Sequence, residues 1–275
     1  MHPDLTKWRT QRNEDVGTRG LPMLRRISIP LLFEPGTSWS YGASSDWAGL
    51  LVMRLNNCTL EEYMQSHIFN PLNLQNITFH QELKPNVRKE LVKLSAREGI
   101  ENPLFNLPQD TGKPVEWTDE LLYDDPLPMG EEYGGQGLIS SAQEYFQILT
   151  SILLDDGKLL KSETVKQMFE PQLTEEQKAA QHAFNDMPFW KDTFASLPAG
   201  TELDWGLAGR LVMQDLGSGR KKGTLTWSGL PNLLWTIDRE AGLVTFWASN
   251  LVPFGDLESG RWQRRWEEEM YRRAG

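Results

Sequence analysis

Between Pro30 and Phe79 the chain reads PLLFEPGTSWSYGASSDWAGLLVMRLNNCTLEEYMQSHIFNPLNLQNITF, a turn that delivers one tyrosine to the mouth of a helix. Pro35 fixes φ and Gly36 supplies a positive φ, so Glu34-Pro35-Gly36-Thr37 predicts a type II turn. A helix is expected to begin at Ser44 or Ser45, whose hydroxyls suit the cap, and to bury Trp47, Leu50, Leu51 and Leu55. Tyr41 then stands on a turn at a helix entrance, where a phenol can meet a substrate.

The segments on either side carry further punctuation. Residues 1–29 are charged and weakly periodic. Thr59 and Glu62 spell a capping box for a second helix with Leu60, Tyr63, Met64 and Ile68 on its apolar face, ended by Pro71. From His80 to Glu132 no period holds, and Pro85, Pro103, Pro108, Pro114, Pro126 and Pro128 interrupt it; a stretch this long is usually functional or mobile. The glycine run Gly134-Gly135-Gln136-Gly137 lacks the Lys-Ser/Thr of a phosphate loop, so it predicts a close backbone approach. A helix follows it, capped by Ser141 with Glu144, with Ala142, Tyr145, Phe146, Leu149, Ile152 and Leu153 as its buried stripe. Gly157 ends that helix, and shorter ones start near Ser162 and Thr174. Leu207–Gln214, Thr224–Trp227, Leu233–Asp238 and Leu243–Ser249 predict an antiparallel meander. A last helix, with Trp262, Trp266 and Met270 on one face, is expected to cover it.

Composition narrows the partners. A net charge of −10 argues against nucleic acid and anionic membranes. With Cys58 as its single cysteine the chain cannot form an internal disulfide or a thiolate cluster. No run of about 18 apolar residues is present. MHPDLTKWRTQRNEDVG has no apolar core of a signal peptide, so a cytoplasmic location is expected. His-x-His and His-Glu-x-x-His patterns are missing, and neither a metal nor another cofactor is expected. His2, His67, His80 and His182 lack the context of a Ser-His-Asp triad.

Pro35-Gly36-Thr37, Tyr41-Gly42, Leu60-Glu61-Glu62-Tyr63-Met64 and Phe69-Asn70-Pro71-Leu72-Asn73-Leu74 together resemble the tyrosine-motif region of the serine β-lactamase-like superfamily. The match looks closest to its fungal acyltransferase and esterase branch, and extends from about Leu31 to Ser249. The resemblance implies an α+β fold, a helical lobe packed on an antiparallel sheet. It implies one domain over 1–275, with residues 1–200 mainly the helical lobe and 201–275 the sheet and its covering helix. It also implies acyl-enzyme chemistry on a small acyl ester or thioester, in secondary metabolism, with a carrier-bound acyl donor as one option.

In that scheme Tyr41 shuttles the proton, and a nearby lysine cation is needed because a phenol titrating near 10 is a poor base at neutral pH. Ala43 stands where the family usually has Asn, which removes an amide contact to substrate. Trp227-Ser228-Gly229-Leu230 takes the place of the usual Lys-Thr-Gly. Trp227 would line the acyl pocket, Gly229 would let substrate lie close, and the Leu230 N–H would bind the oxyanion. The nucleophile motif is the missing part. Ser218-Gly219-Arg220-Lys221 is the single literal Ser-x-x-Lys, and its flanking glycines predict a hairpin turn. The N-terminal strands and nucleophile helix of the family are therefore expected to be absent, leaving the sheet with an open edge and an uncovered face. Three readings stay open: a piece of an active acyltransferase or esterase, a nucleophile-free relative that binds a ligand or partner, and an unrelated α/β binding protein.

Overall fold

The computed structural model describes residues 2–14, 21–98, 113–117, 131–186, 197–198 and 200–275. Most of the irregular stretch from His80 to Glu132, with Pro103, Pro108, Pro126 and Pro128, lies outside the described residues. Two compact units emerge: Met1–Thr37 with Tyr41–Glu90 and Leu122–Ser140, and Ser38–Ser40 with Leu91–Leu121 and Ser141–Gly275.

The first unit is helical. It holds α1 (Pro3–Gln11), α2 (Met23–Ile27), α3 (Ser44–Asn56), α4 (Leu60–Met64, continued by a π-helical turn to Phe69) and α5 (Pro85–Lys89). The turn chemistry is as expected: Gly36 has φ +91° and the Thr37 N–H donates to Glu34 O at 3.1 Å. Thr59 and Glu62 form the reciprocal capping box at the start of α4. Asn57, at φ 49°, closes α3 in the left-handed conformation that asparagine tolerates.

Two expectations about α3 fail. Ala43 is the N-cap and offers no side-chain hydrogen bond, while Ser44 and Ser45 lie inside the first turn. The buried face is Asp46 and Gly49, whereas Trp47, Leu51 and Leu55 are exposed. The cause is the glycine run. Gly134 packs so tightly that a Cβ there would sit 2.0 Å from Ser45 O, and Gly49 faces it. That closeness turns the small, polar side of α3 inward.

The second unit is built on a five-stranded antiparallel sheet in the order β3 (Leu203–Trp205), β4 (Arg210–Val212), β5 (Leu225–Gly229), β6 (Leu233–Asp238), β7 (Leu243–Ala248). A smaller sheet joins β1 (Ser95–Arg97), β2 (Val115–Trp117) and β8 (Leu251–Val252), with β1 antiparallel to β2 and parallel to β8. Helices α6 (Ala142–Leu154) and α7 (Ser162–Met168) cover one face of the large sheet through Leu149, Met168, Leu211, Leu225, Ile237 and Val244. Helix α8 (Glu175–Asn185), begun by a Thr174–Gln177 capping box, packs beside β3. Within the expected stripe of α6, Leu149 is buried and Tyr145, Ile152 and Leu153 pack onto its cluster, but Phe146 is exposed.

The last helix covers the other face, as its sequence predicts, so the uncovered face expected from the missing N-terminal elements is not found among the described residues. Strand alternation puts Thr226, Thr236, Thr245 and Asp238 there, all buried. Helix α9 (Leu257–Ala274) lies on that face, its Tyr271 OH donating to Asp238 Oδ2 at 2.9 Å. The inward side of α9 is Ser259, Gln263, Glu267 and Tyr271, spaced by four, and Trp262 faces solvent. A buried charge pair decides this. Arg220 is fully enclosed and donates to both Glu267 carboxylate oxygens from the Nε–Nη2 edge of its guanidinium, an ionic pairing that a tryptophan face could not supply. Strands β3 and β7 are the two terminal strands of the sheet among the described residues.

Candidate active site

Tyr41 sits on the irregular segment between the Pro35-Gly36 turn and α3, half exposed at 50%. The segment is fixed from the α3 side. Trp47 N–H donates to Ala43 O at 3.1 Å, and the Asp46 carboxylate accepts from Gly135 N–H at 2.9 Å. Burial lifts the Asp46 carboxyl above its usual range, against the pull of that N–H and of Arg26. Two further phenols, Tyr133 and Tyr145, lie in more enclosed surroundings. Tyr145 is pushed up to about 12 by burial, and Tyr133, raised chiefly by burial, exchanges hydrogen bonds with Arg26 and Glu131.

Residues 131–135 act as a strap on this unit. Glu131 accepts the Met23 N–H at the start of α2 at 2.7 and 2.8 Å, and Glu132 accepts the Glu61 N–H at the start of α4 at 2.8 Å. Both are carboxylates at helix N-termini, where orphan N–H groups and the helix dipole favour them. Glu132 also meets His80 Nε2 at 2.7 Å.

The second motif lies in the sheet unit. Trp227 and Ser228 pair with Trp235 and Leu234, Gly229 pairs with Leu233, and Leu230 is exposed on the β5–β6 turn. The turn is tied down by Asn232, at φ 53°, whose amide donates to Leu251 O and Pro253 O and accepts from Gly255 N–H. These three hydrogen bonds join the β5–β6 turn to the segment that follows β7.

Around Trp227 runs a chain of contacts that closes on itself. Trp205 meets Trp227 at 4.7 Å between ring centroids, Trp39 stacks on Trp205 at 5.7 Å, and Phe184 meets Trp39 edge-on at 5.2 Å. The Arg210 guanidinium lies 5.3 Å from the centre of the Trp227 ring and donates to Asn185 Oδ1 at 3.1 Å, next to Phe184 on α8. The sequence singled out Trp227 alone; Trp39, two residues before Tyr41, and Trp205, on a short strand, were readable only as aromatics near turns. No signal pointed to Arg210.

The Ser218–Lys221 motif is a turn, as its glycines predict. Gly219 has φ +104°, Arg220 is turned into the core, and Lys221 pairs with Asp215. Cys58 is a free, half-buried thiol.

No helix among the described residues is long and apolar enough to cross a membrane. A family model described as beta-lactamase matches residues 24–269. ML-236A carboxylate methylbutanoyltransferase of Penicillium citrinum is 33% identical over 252 residues, which is 90% of this chain and 56% of that protein. Lovastatin esterase of Penicillium rubens is 31% identical over 88% of this chain and 58% of its own length. A mutant of simvastatin synthase from Aspergillus terreus superposes with a TM-score of 0.84 at 31% identity, covering 100% of this chain and 62% of that one. The chain thus spans between 56% and 62% of the length of these relatives. The fold is the mixed helix and antiparallel-sheet architecture of β-lactamases and transpeptidases, and the chain belongs to the beta-lactamase family.

Proposed function

We propose that these residues supply the proton-shuttling tyrosine and the oxyanion strand of a serine acyltransferase or esterase acting on a small acyl ester or thioester. The observation that carries the reading is the accessible Tyr41 phenol on a turn braced from α3, in a chain whose relatives bear the names methylbutanoyltransferase and lovastatin esterase. In this scheme Tyr41 takes the proton from the attacking hydroxyl, the Leu230 N–H binds the developing oxyanion, Gly229 leaves room for the substrate, and Trp227 lies along a short acyl chain. The names of two relatives point to a branched acyl group of methylbutanoyl size; its delivery as a simple thioester or from a carrier protein is part of the proposal.

The attacking serine lies outside this scheme's assigned residues, since Ser218 and Lys221 sit in a turn around the buried Arg220. The second reading, a relative that binds an acyl ligand without turning it over, is the one the test must separate from this scheme.

The test has two arms. Intact mass of the protein from its own cells reports whether a longer form exists, and incubation with p-nitrophenyl butyrate followed by peptide mapping reports which serine is acylated. Acylation of a serine, slowed about 10²–10⁴-fold by Tyr41→Phe, supports the enzyme. A mass equal to these 275 residues and no acyl adduct overturns it in favour of the binding protein.

A further inference from the structure

We infer that Arg210 is a positioning residue that sets the orientation of the Trp227 indole and, through it, the acyl-chain preference of the site; the second half rests on the reading of Trp227 given above. Trp227 lies near the end of β5, where the ladder fixes its Cα but leaves χ2 a broad choice. Its contact with Trp205 is tilted by 51°, so stacking on that ring alone does not fix one plane. A cation over the face of an indole does, because the ring quadrupole rewards one placement.

The cation is well suited to the task. Arg210 is 2% exposed, and burial brings its guanidinium down to about 10, still charged at neutral pH. Shielded from water, it attracts the indole face more strongly than a surface arginine would. Its far end is held by Asn185 Oδ1. Asn185 follows Phe184, which packs on Trp39, which stacks on Trp205, which returns to Trp227. To swing the indole, one link of this closed set must open. A lysine could keep the charge but would lose the flat fork that reaches Trp227 and Asn185 together.

The test uses the chain labelled with 5-fluorotryptophan, with the Trp227 ¹⁹F resonance assigned by Trp227→Phe. In Arg210→Met that resonance is expected to shift and broaden without ligand, and in Arg210→Lys to recover in part. Asn185→Leu removes the Asn185 hydrogen bond without removing the charge of Arg210, and is expected to move the resonance in the same direction by less; it serves if Arg210→Met fails to fold. Titration with butanamide and octanamide reads the second half. The ratio of their affinities is expected to change about fivefold in Arg210→Met. A Trp227 resonance unmoved in every folded variant, with only the melting temperature lowered, overturns the positioning role. If neither amide moves Trp227 in the unsubstituted chain, the acyl-site reading fails, and the unliganded spectra still decide whether Arg210 sets the ring.

Discussion

His80 Nε2 lies 2.7 Å from the buried Glu132 carboxylate, and its Nδ1 lies 3.3 Å from Glu82. Glu61, itself paired with Lys84 at 3.3 Å, adds a third carboxylate nearby. Burial lowers the imidazole, but the hydrogen bond and charge of Glu132, then Glu82 and Glu61, outweigh it and hold His80 above its ordinary 6.5.

The sign of the pH dependence follows. A group raised on folding contributes stability that is complete below its unfolded value and is lost as pH climbs through its folded one. The urea midpoint of the native chain is therefore expected to exceed that of His80→Gln below about pH 6.5, with the gap closing as the pH rises above it. A gap that stays constant from about pH 5.5 to about pH 9 would remove His80⁺ from the account.

Gly134 and Gly135 are adjacent but differ in tolerance. A Cβ on Gly134 would meet Ser45 O at 2.0 Å, whereas on Gly135 it would meet Asp46 Oδ1 at 3.1 Å. The first obstacle is helix backbone; the second is the end of a side chain. Gly134→Ala is expected to cost about 2–3 kcal/mol and Gly135→Ala about 1 kcal/mol or less, by thermal or urea unfolding. Equal costs would mean that the strap can slide along α3.

What the sequence revealed was local chemistry. Pro35-Gly36, the Thr59–Glu62 box, the Ser141 cap, the helix start at Thr174 and the strands β5 to β7 are each written within a few residues, and each forms. Periodicity failed where a distant partner decides the buried side. Gly134 decides it for α3, and Arg220, 47 residues before Glu267, decides it for α9. The same holds for the candidate site. Tyr41 and Trp227 stand in recognisable strings, but the Arg210–Asn185 link and the His80–Glu132 pair join residues 25 and 52 positions apart with no local mark.

The Arg220–Glu267 pair is almost fully buried, with Gln263 Nε2 donating to Glu267 Oε2 at 2.6 Å. Removing one partner leaves an uncompensated charge in the core. Glu267→Gln is expected to destabilise the chain by about 3–5 kcal/mol. The double variant Arg220→Met with Glu267→Leu is expected to recover most of that, because both desolvation costs vanish together. A loss under about 1 kcal/mol in the single variant, measured by urea unfolding, would mean that water reaches the pair.

Trp47, Leu51 and Leu55 are spaced by four along α3 and all face solvent, with Leu51 at 58% and Leu55 at 76% exposure. Sequence periodicity assigns these side chains to the core; the packing of Gly49 and Asp46 against Gly134 and Gly135 assigns the opposite side. The two assignments make opposite predictions for the same helix. If the glycine contact governs, Leu51→Gln and Leu55→Gln each change stability by about 0.5 kcal/mol or less, since neither gives up buried area. Gly49→Val then costs several times more, because a Cβ there already lies 3.2 Å from the Gly134 backbone and a branched side chain must push the strap away. Melting temperatures of the three variants decide between them. A large loss at Leu51 with tolerance at Gly49 would reinstate the apolar stripe as the buried face and undo the bracing of the Tyr41 turn that depends on it.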